Sequence, residues 1–216
     1  MKTYFISFVI FFLAFGCSNE TMSYSIPTYA NYPMFTMGDK VAVIKKAKAS
    51  RLDFICYIAD IAEFGKTYWV SRLVGMPGDT IEIKAGVLFV NGKSVDDKFP
   101  LAYNALISLK EYSRFRTEGI IIDNATRQLS NDSFVATVKR EAEKQLPNRK
   151  YIAPKDLVDE TISSKHGASY NADNFGPVVV PKDKYFVLGD NRHFANDSRY
   201  IGFIEQANLV GKVSHD

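Results

Sequence analysis

Short apolar runs separated by turn-forming residues organise most of the chain. Lys40–Ile44, Asp53–Ile58, Tyr68–Val74, Thr80–Ile83 and Val87–Val90 are rich in β-branched and aromatic residues and each has the length of a strand. Lys84-Ala85-Gly86 supplies the glycine of a hairpin between the last two, and Asn91-Gly92 is a second strong turn signal. Met76-Pro77-Gly78-Asp79 reads as a tight turn, with Pro77 fixing φ and Gly78 taking a conformation that other residues resist. Before the first run, residues 18–37 form an extended, turn-rich entry containing Pro27 and Pro33. Residues 98–172 change character: the pattern predicts a helix around Asp132–Gln145 and another around Ala105–Arg116, joined by polar connections such as Ser163–Asn174. Strand-like runs return at Pro177–Val180, Tyr185–Leu188, Tyr200–Ile204 and Val210–Val213. The expectation is a mainly β protein, an antiparallel core in two parts with an α/β insertion between them and no internal repeat.

The N-terminus carries a separate message. Lys2, an apolar run from Tyr4 to Phe15 and then Gly16-Cys17-Ser18-Asn19-Glu20 have the layout of a secretory signal, and the run is short for a membrane span. Leu13-Ala14-Phe15-Gly16-Cys17 is also similar to a bacterial lipoprotein box, in which the cysteine is lipidated. A plain signal peptide or a short anchor with a chance cysteine is the plainer alternative. The organisation predicted is a lipoprotein-type signal at 1–16, the first part of the core at 17–97, the insertion at 98–172 and the second part of the core at 173–216.

Composition narrows the chemistry. Hydrophobic residues make up 46% and charged residues 24%, which suits a chain that buries a core, and the 13% of aromatics leans towards strands. A net charge of +3 without a basic stripe gives no footprint for nucleic acid. If Cys17 carries lipid, Cys56 has no partner for a disulfide and reads as a buried thiol. His166, His193 and His215 lack metal-ligand spacing, so neither a metal nor another cofactor is expected.

Three ordered segments narrow it further. The first is Ile26-Pro27-Thr28-Tyr29-Ala30-Asn31-Tyr32-Pro33 with Gly38-Asp39, and the second is Arg72-Leu73-Val74-Gly75-Met76-Pro77-Gly78-Asp79 with Gly86–Gly92. The third is Tyr185–Arg192, containing Gly189-Asp190-Asn191-Arg192, then Asp197-Ser198-Arg199 and Val210-Gly211-Lys212-Val213. Together they resemble the bacterial signal peptidase I (leader peptidase) family, whose first segment reads Ile-Pro-Ser-Gly-Ser-Met-x-Pro. The resemblance implies a Ser/Lys protease in which a buried, neutral lysine takes the proton of the attacking serine.

At the matching positions that chemistry is missing. The expected nucleophile position holds Ala30, the expected base position, just before Arg72, holds Ser71, and the hydroxyl that would support the base is replaced by Ala195. Thr28 keeps a hydroxyl at the oxyanion-helper position. Losing the nucleophile of a serine protease costs on the order of 10⁶ in rate. Gly78, Asp79, Gly189, Asn191 and Ser198 read as groove or structural support, with Asp190, Arg192, Asp197 and Arg199 as charge-assisted pairs that pin the loop beside the groove. The expectation is an exported, lipid-anchored relative in the bacterial envelope that has lost peptidase activity and binds a signal-like peptide or an envelope protein. An active peptidase whose nucleophile has moved, with Ser23 or Ser25 beside Lys40, Lys45, Lys46 or Lys66, is the alternative. A purely structural envelope component is the third reading.

Overall fold

The computed structural model describes residues 20–61, 65–146 and 151–214. The strands are β1 (Thr21–Ser25), β2 (Lys40–Lys45), β3 (Phe54–Ile61), β4 (Gly65–Gly75), β5 (Thr80–Lys84), β6 (Val87–Val90), β7 (Lys93–Ser94) and β8 (Ala102–Ser108). Helix α1 (Leu109–Thr117) follows, then β9 (Ile121–Ser130), β10 (Ser133–Lys139), α2 (Glu160–His166), β11 (Phe175–Val179), β12 (Lys184–Leu188), α3 (Ser198–Ile201), β13 (Ile204–Glu205) and β14 (Leu209–Ser214). A seven-stranded sheet runs β1-β2-β14-β3-β4-β12-β13, a four-stranded sheet β11-β5-β6-β7 and a three-stranded sheet β8-β10-β9. All their strand pairs are antiparallel, so the expected mainly β class holds.

The large sheet is buried on both faces, and the two-residue period of its strands sorts the core. Phe54, Cys56 and Val70 pack with Ile26, Phe35 and Val43 on one face, while Ile55, Tyr57, Leu73 and Val187 pack on the other. The hairpins close as their turn residues dictate: Ala85 and Gly86 have φ of 47° and 75°, and Asn91 and Gly92 have 52° and 76°. In the 76–79 turn Gly78 has φ of 85°, and Asp79 Oδ2 accepts the Met76 N–H at 2.7 Å.

The segment between the core parts is more β-rich than its pattern predicts. Around Asp132–Gln145 the chain forms β10 and a short 3-10 helix over Arg140–Gln145, not an α-helix. Phe134, Ala136 and Val138 point inward from β10 on a strand's period and pack with Phe115 of α1. Ala105–Arg116 is likewise divided. Its first half is β8, and α1 begins where the Ser108 hydroxyl caps the Glu111 N–H while the Glu111 carboxylate accepts the Ser108 N–H. Ser163–Asn174 holds the end of α2, capped by Asp159 and stopped by Gly167, and Tyr200–Ile204 is mostly the end of α3 and a turn.

The small sheet is joined to the core beside the Gly189–His193 loop. Ala102 forms a parallel bridge with Asn191: its N–H donates to the Asp190 carbonyl at 3.0 Å, and its carbonyl accepts from Arg192 at 3.1 Å. The Asn104 N–H donates to His193 Nδ1 at 3.0 Å.

Candidate functional site

The turn-rich entry after β1 lies against β4 and leaves a cleft of about 450 Å³ between them. Its walls include Tyr24, Ile26, Thr28, Ala30 and Asn31 on one side, with Thr67–Ser71 and Asn196 opposite. Ala30 and Ser71, distant in sequence, therefore line one cavity. The entry segment is held by backbone bonds at both ends, with Ile26 N–H donating to Asp39 and Gly38 N–H to Ile26. Asn191 grips its middle, its backbone N–H reaching the Ala30 carbonyl at 3.0 Å and its side-chain amide the Tyr29 carbonyl at 3.1 Å. Asn31 Nδ2 ties the same segment to β4 by donating to the Val70 carbonyl at 2.7 Å.

The functional groups at the expected catalytic positions form no proton-transfer pair. Ser71 is buried, and its hydroxyl lies 3.2 Å from the Tyr57 hydroxyl. Burial pushes the Tyr57 phenol above its ordinary range although the bond to Ser71 pulls the other way, so the group stays neutral and is no base. Ala30 presents a methyl group. Ala195 is buried against Gly189, where an added Cβ would fall 2.3 Å from the Ala195 Cβ and 2.4 Å from the Ala30 carbonyl oxygen. Gly189 is thus required by close approach of the chain. Thr28 Oγ1 accepts the Ala30 N–H at 3.3 Å. The hydroxyl at the oxyanion-helper position is therefore already bonded to the backbone N–H of Ala30.

Among the described residues no lysine lines the cleft. Among the sites for a moved nucleophile, Ser23 and Ser25 are exposed and alternate with Tyr24 and Ile26, which face the cleft. Ser25 does stand opposite Lys40 across β1 and β2, but both are exposed. A base lysine depends on burial to favour its neutral form. Lys45 pairs with Glu20 at 2.8 Å.

Behind the cleft the charged residues are paired, though not as the loop sequence alone predicts. Arg199 pairs with Asp197 within the loop, at 2.8 Å, whereas Asp190 and Arg192 find partners elsewhere. Arg72 Nε and Nη2 bond both Asp190 oxygens at 2.7 and 2.6 Å, and its guanidinium stacks against Phe54 and Phe99. Arg192 reaches Asp96 at 2.6 Å. Asp79 pairs with Arg51 at 2.6 Å; burial opposes its charge, but Arg51, the Met76 N–H and Asn91 outweigh it and hold the carboxyl below its ordinary range. The Ser198 hydroxyl accepts the Val187 N–H at 2.9 Å. A further pair has no signal in the sequence: His193 Nε2 faces Asp173 at 2.9 Å while its Nδ1 accepts from Asn104. Both ring nitrogens are engaged, so His193 is not a free base. Burial opposes the Asp173 charge, but His193 and the Ala153 N–H together hold that carboxyl low.

Among the described residues no group of three His, Cys, Asp or Glu side chains is arranged to hold a metal. Among them, too, no helix is long and apolar enough to cross a membrane. The signal at 1–16, Cys17 and His215 lie outside the described residues.

Over residues 1–215 the sequence matches the family described as "Signal peptidase, peptidase S26". It is 30% identical over 217 residues to a signal peptidase I of Buchnera aphidicola, covering 88% of this chain and 67% of that protein. It is 32% identical to signal peptidase I P of Bacillus subtilis subsp. natto, covering 68% of this chain and 49% of that protein. The same 32% holds for signal peptidase IB of Staphylococcus aureus, with 68% and 51% covered. The chain therefore spans about half the length of the last two. A crystal structure of a signal peptidase I from Enterococcus faecalis aligns at 23% identity with a TM-score of 0.37, covering 77% of this chain and 97% of that one.

Proposed function

The chain belongs to the signal peptidase family, peptidase S26, and on that premise we propose that it is a member without peptidase activity that binds extended peptides in the cleft. One observation carries the reading: Ala30 and Ser71 face the same cleft, where the family's chemistry needs a nucleophile and a base, and among the described residues no lysine lines that cleft. A methyl group has no lone pair with which to attack, and a serine hydroxyl bonded to a neutral phenol takes no proton near neutral pH. What remains is a groove of largely apolar walls beside a strand edge, suited to an extended peptide with small side chains. The protein is exported to the bacterial envelope and held at the membrane through lipid on Cys17, and its ligand is a signal-like peptide or an envelope protein presenting one.

The alternative, a peptidase with a moved nucleophile, draws on the Ser25–Lys40 neighbours across β1 and β2. Preprotein cleavage by the full-length chain in detergent separates the two. Assayed beside it are an Ala30→Ser/Ser71→Lys double variant and a Ser25→Ala variant. The natural chain is expected to be silent and the double variant to cut, since a lysine at position 71 would be buried and so favoured in its neutral form. Cleavage by the natural chain that Ser25→Ala abolishes would establish the moved nucleophile and end the pseudoenzyme reading.

A further inference from the structure

The large sheet is open along part of one strand. β4 pairs with β3 from Gly65 to Arg72, but its other neighbour, β12, meets it only at Arg72, Leu73 and Gly75. Among the described residues no strand covers the second edge of Gly65–Ser71, and Thr67–Ser71 of that stretch form a wall of the cleft. An uncovered edge presents N–H and C=O groups at every second residue, ready to pair with another extended chain. Here two of its carbonyls are already taken, and by side chains. The Tyr24 hydroxyl donates to the Tyr68 carbonyl at 2.8 Å, and Asn31 Nδ2 donates to the Val70 carbonyl. Tyr68 and Val70 are two residues apart, so their carbonyls lie on one edge, the one that faces the entry segment. The two caps differ in permanence. The Asn31 bond is buried, and breaking it would strand both groups away from water. The Tyr24 bond is exposed and Tyr68 is 43% exposed, so both its groups can be satisfied by solvent or by a ligand once it opens. Burial pushes the Tyr24 phenol up, which keeps the hydroxyl a proton donor.

We propose that Tyr24 gates the β4 edge: a peptide adds there as an extended strand, and one of its main-chain N–H groups takes the Tyr68 carbonyl from the Tyr24 hydroxyl. This rests on the peptide-binding reading above and names a contact that sets its strength. A peptide of small apolar side chains brings few directional groups except its main chain, so the edge of β4 is where it finds hydrogen bonds. With Tyr24 in place, the ligand exchanges one bond for another at that carbonyl and gains nothing by it. The Asn31 cap stays, so the Val70 carbonyl is closed to the ligand and strand addition is confined to the Tyr68 end of the edge. Tyr24 thus holds affinity down, and it does so for any sequence, since the group it competes with belongs to the main chain.

The experiment uses the full-length chain in detergent, its Tyr24→Phe variant, and a fluorescent signal-like peptide of small apolar residues. Tyr24→Phe keeps the ring in the wall and removes only the hydroxyl, while the bonds of Ile26, Gly38 and Asn191 still hold the entry segment. Fluorescence anisotropy gives each Kd. The variant is expected to bind about fivefold more tightly, the worth of one hydrogen bond no longer spent on exchange. Peptides methylated at one main-chain nitrogen at a time then locate the contact. At one position methylation should weaken binding to Tyr24→Phe about fivefold more than binding to the natural chain; steric effects of the methyl group are common to both proteins and cancel. Equal or weaker binding by Tyr24→Phe, with the natural chain binding the peptide, overturns the gate and leaves the peptide-binding reading standing. A gain that no methylation diminishes means that the ligand's main chain does not take the carbonyl, and it overturns the gate as well. If neither protein binds the peptide, the peptide-binding reading falls and the gate falls with it.

Discussion

Arg72→Met breaks the contact that holds the cleft's two walls in relation to each other. The guanidinium bonds both oxygens of Asp190, donates to the Leu52 carbonyl at 2.7 Å, and lies 4.2 and 4.3 Å from the ring centres of Phe54 and Phe99. Its side chain is 7% exposed and that of Asp190 is 1% exposed, so water cannot replace either partner. Removing one member of such a pair leaves a buried charge uncompensated, at about 3–5 kcal/mol. With a urea dependence of about 2 kcal/mol per molar, the unfolding midpoint falls by about 2 M. Asp190→Leu should cost a similar amount for the converse reason. If the two costs were independent, the double variant would lose about 6–10 kcal/mol. It is expected to lose only about 1–2 kcal/mol, mainly the cation–π contacts, because apolar side chains then fill the space of both charges. The assay is urea unfolding of the four proteins followed by tryptophan fluorescence. A double variant near the additive sum, or a single Arg72→Met costing under about 1 kcal/mol, would refute the account of a desolvated, mutually dependent pair.

Two other perturbations test the surrounding geometry. Gly189→Ala would place a methyl group 2.3 Å from the Ala195 Cβ and 2.4 Å from the Ala30 carbonyl oxygen. It should cost about 2 kcal/mol or more and weaken peptide binding by displacing Ala30; a neutral Tm would show that this approach is looser than described. Asp173 has a folded-state pKa below its ordinary value, so its contribution to stability is present above the unfolded pKa of about 4 and lost as pH falls through the folded value. The stability gap between the natural chain and Asp173→Asn should therefore be full at pH 7 and shrink below about pH 4. Urea midpoints across that range check it, and a gap that widens in acid would reverse the sign.

The strands of residues 40–90 were legible because short β-branched runs alternate with turn residues of strong backbone preference. The stretch after residue 98 misleads because the charged run that follows β10, Arg140–Lys144, has a helix-like composition, while Val135, Thr137 and Val138 are the β-branched signal that prevails. The start of α1 lies later than the helix expected around Ala105, and the missed signal is the capping-box spacing of Ser108 and Glu111. The positions of Ala30, Ser71 and Ala195 followed from the resemblance to the family, and the fold brings Ala30 and Ser71 to one cleft. What spacing does not carry is partner choice between distant segments. Nothing in the sequence pairs Arg72 with Asp190, Arg192 with Asp96 or His193 with Asp173, because those distances exist only once strands far apart in the chain have paired.

The bridge at Ala102 bears on how this protein tolerates shortening. Two backbone bonds from Ala102 and one from Asn104 close the valences of Asp190, Arg192 and His193, while the residue between the first two, Asn191, holds Ala30. Excising the small sheet would thus strip the loop of donors and acceptors that nothing else in the core supplies. A minimal core made by joining residues 97 and 173 would lose the grip on Ala30 along with the sheet. The accessory region and the cleft meet in one loop, as one mechanical piece.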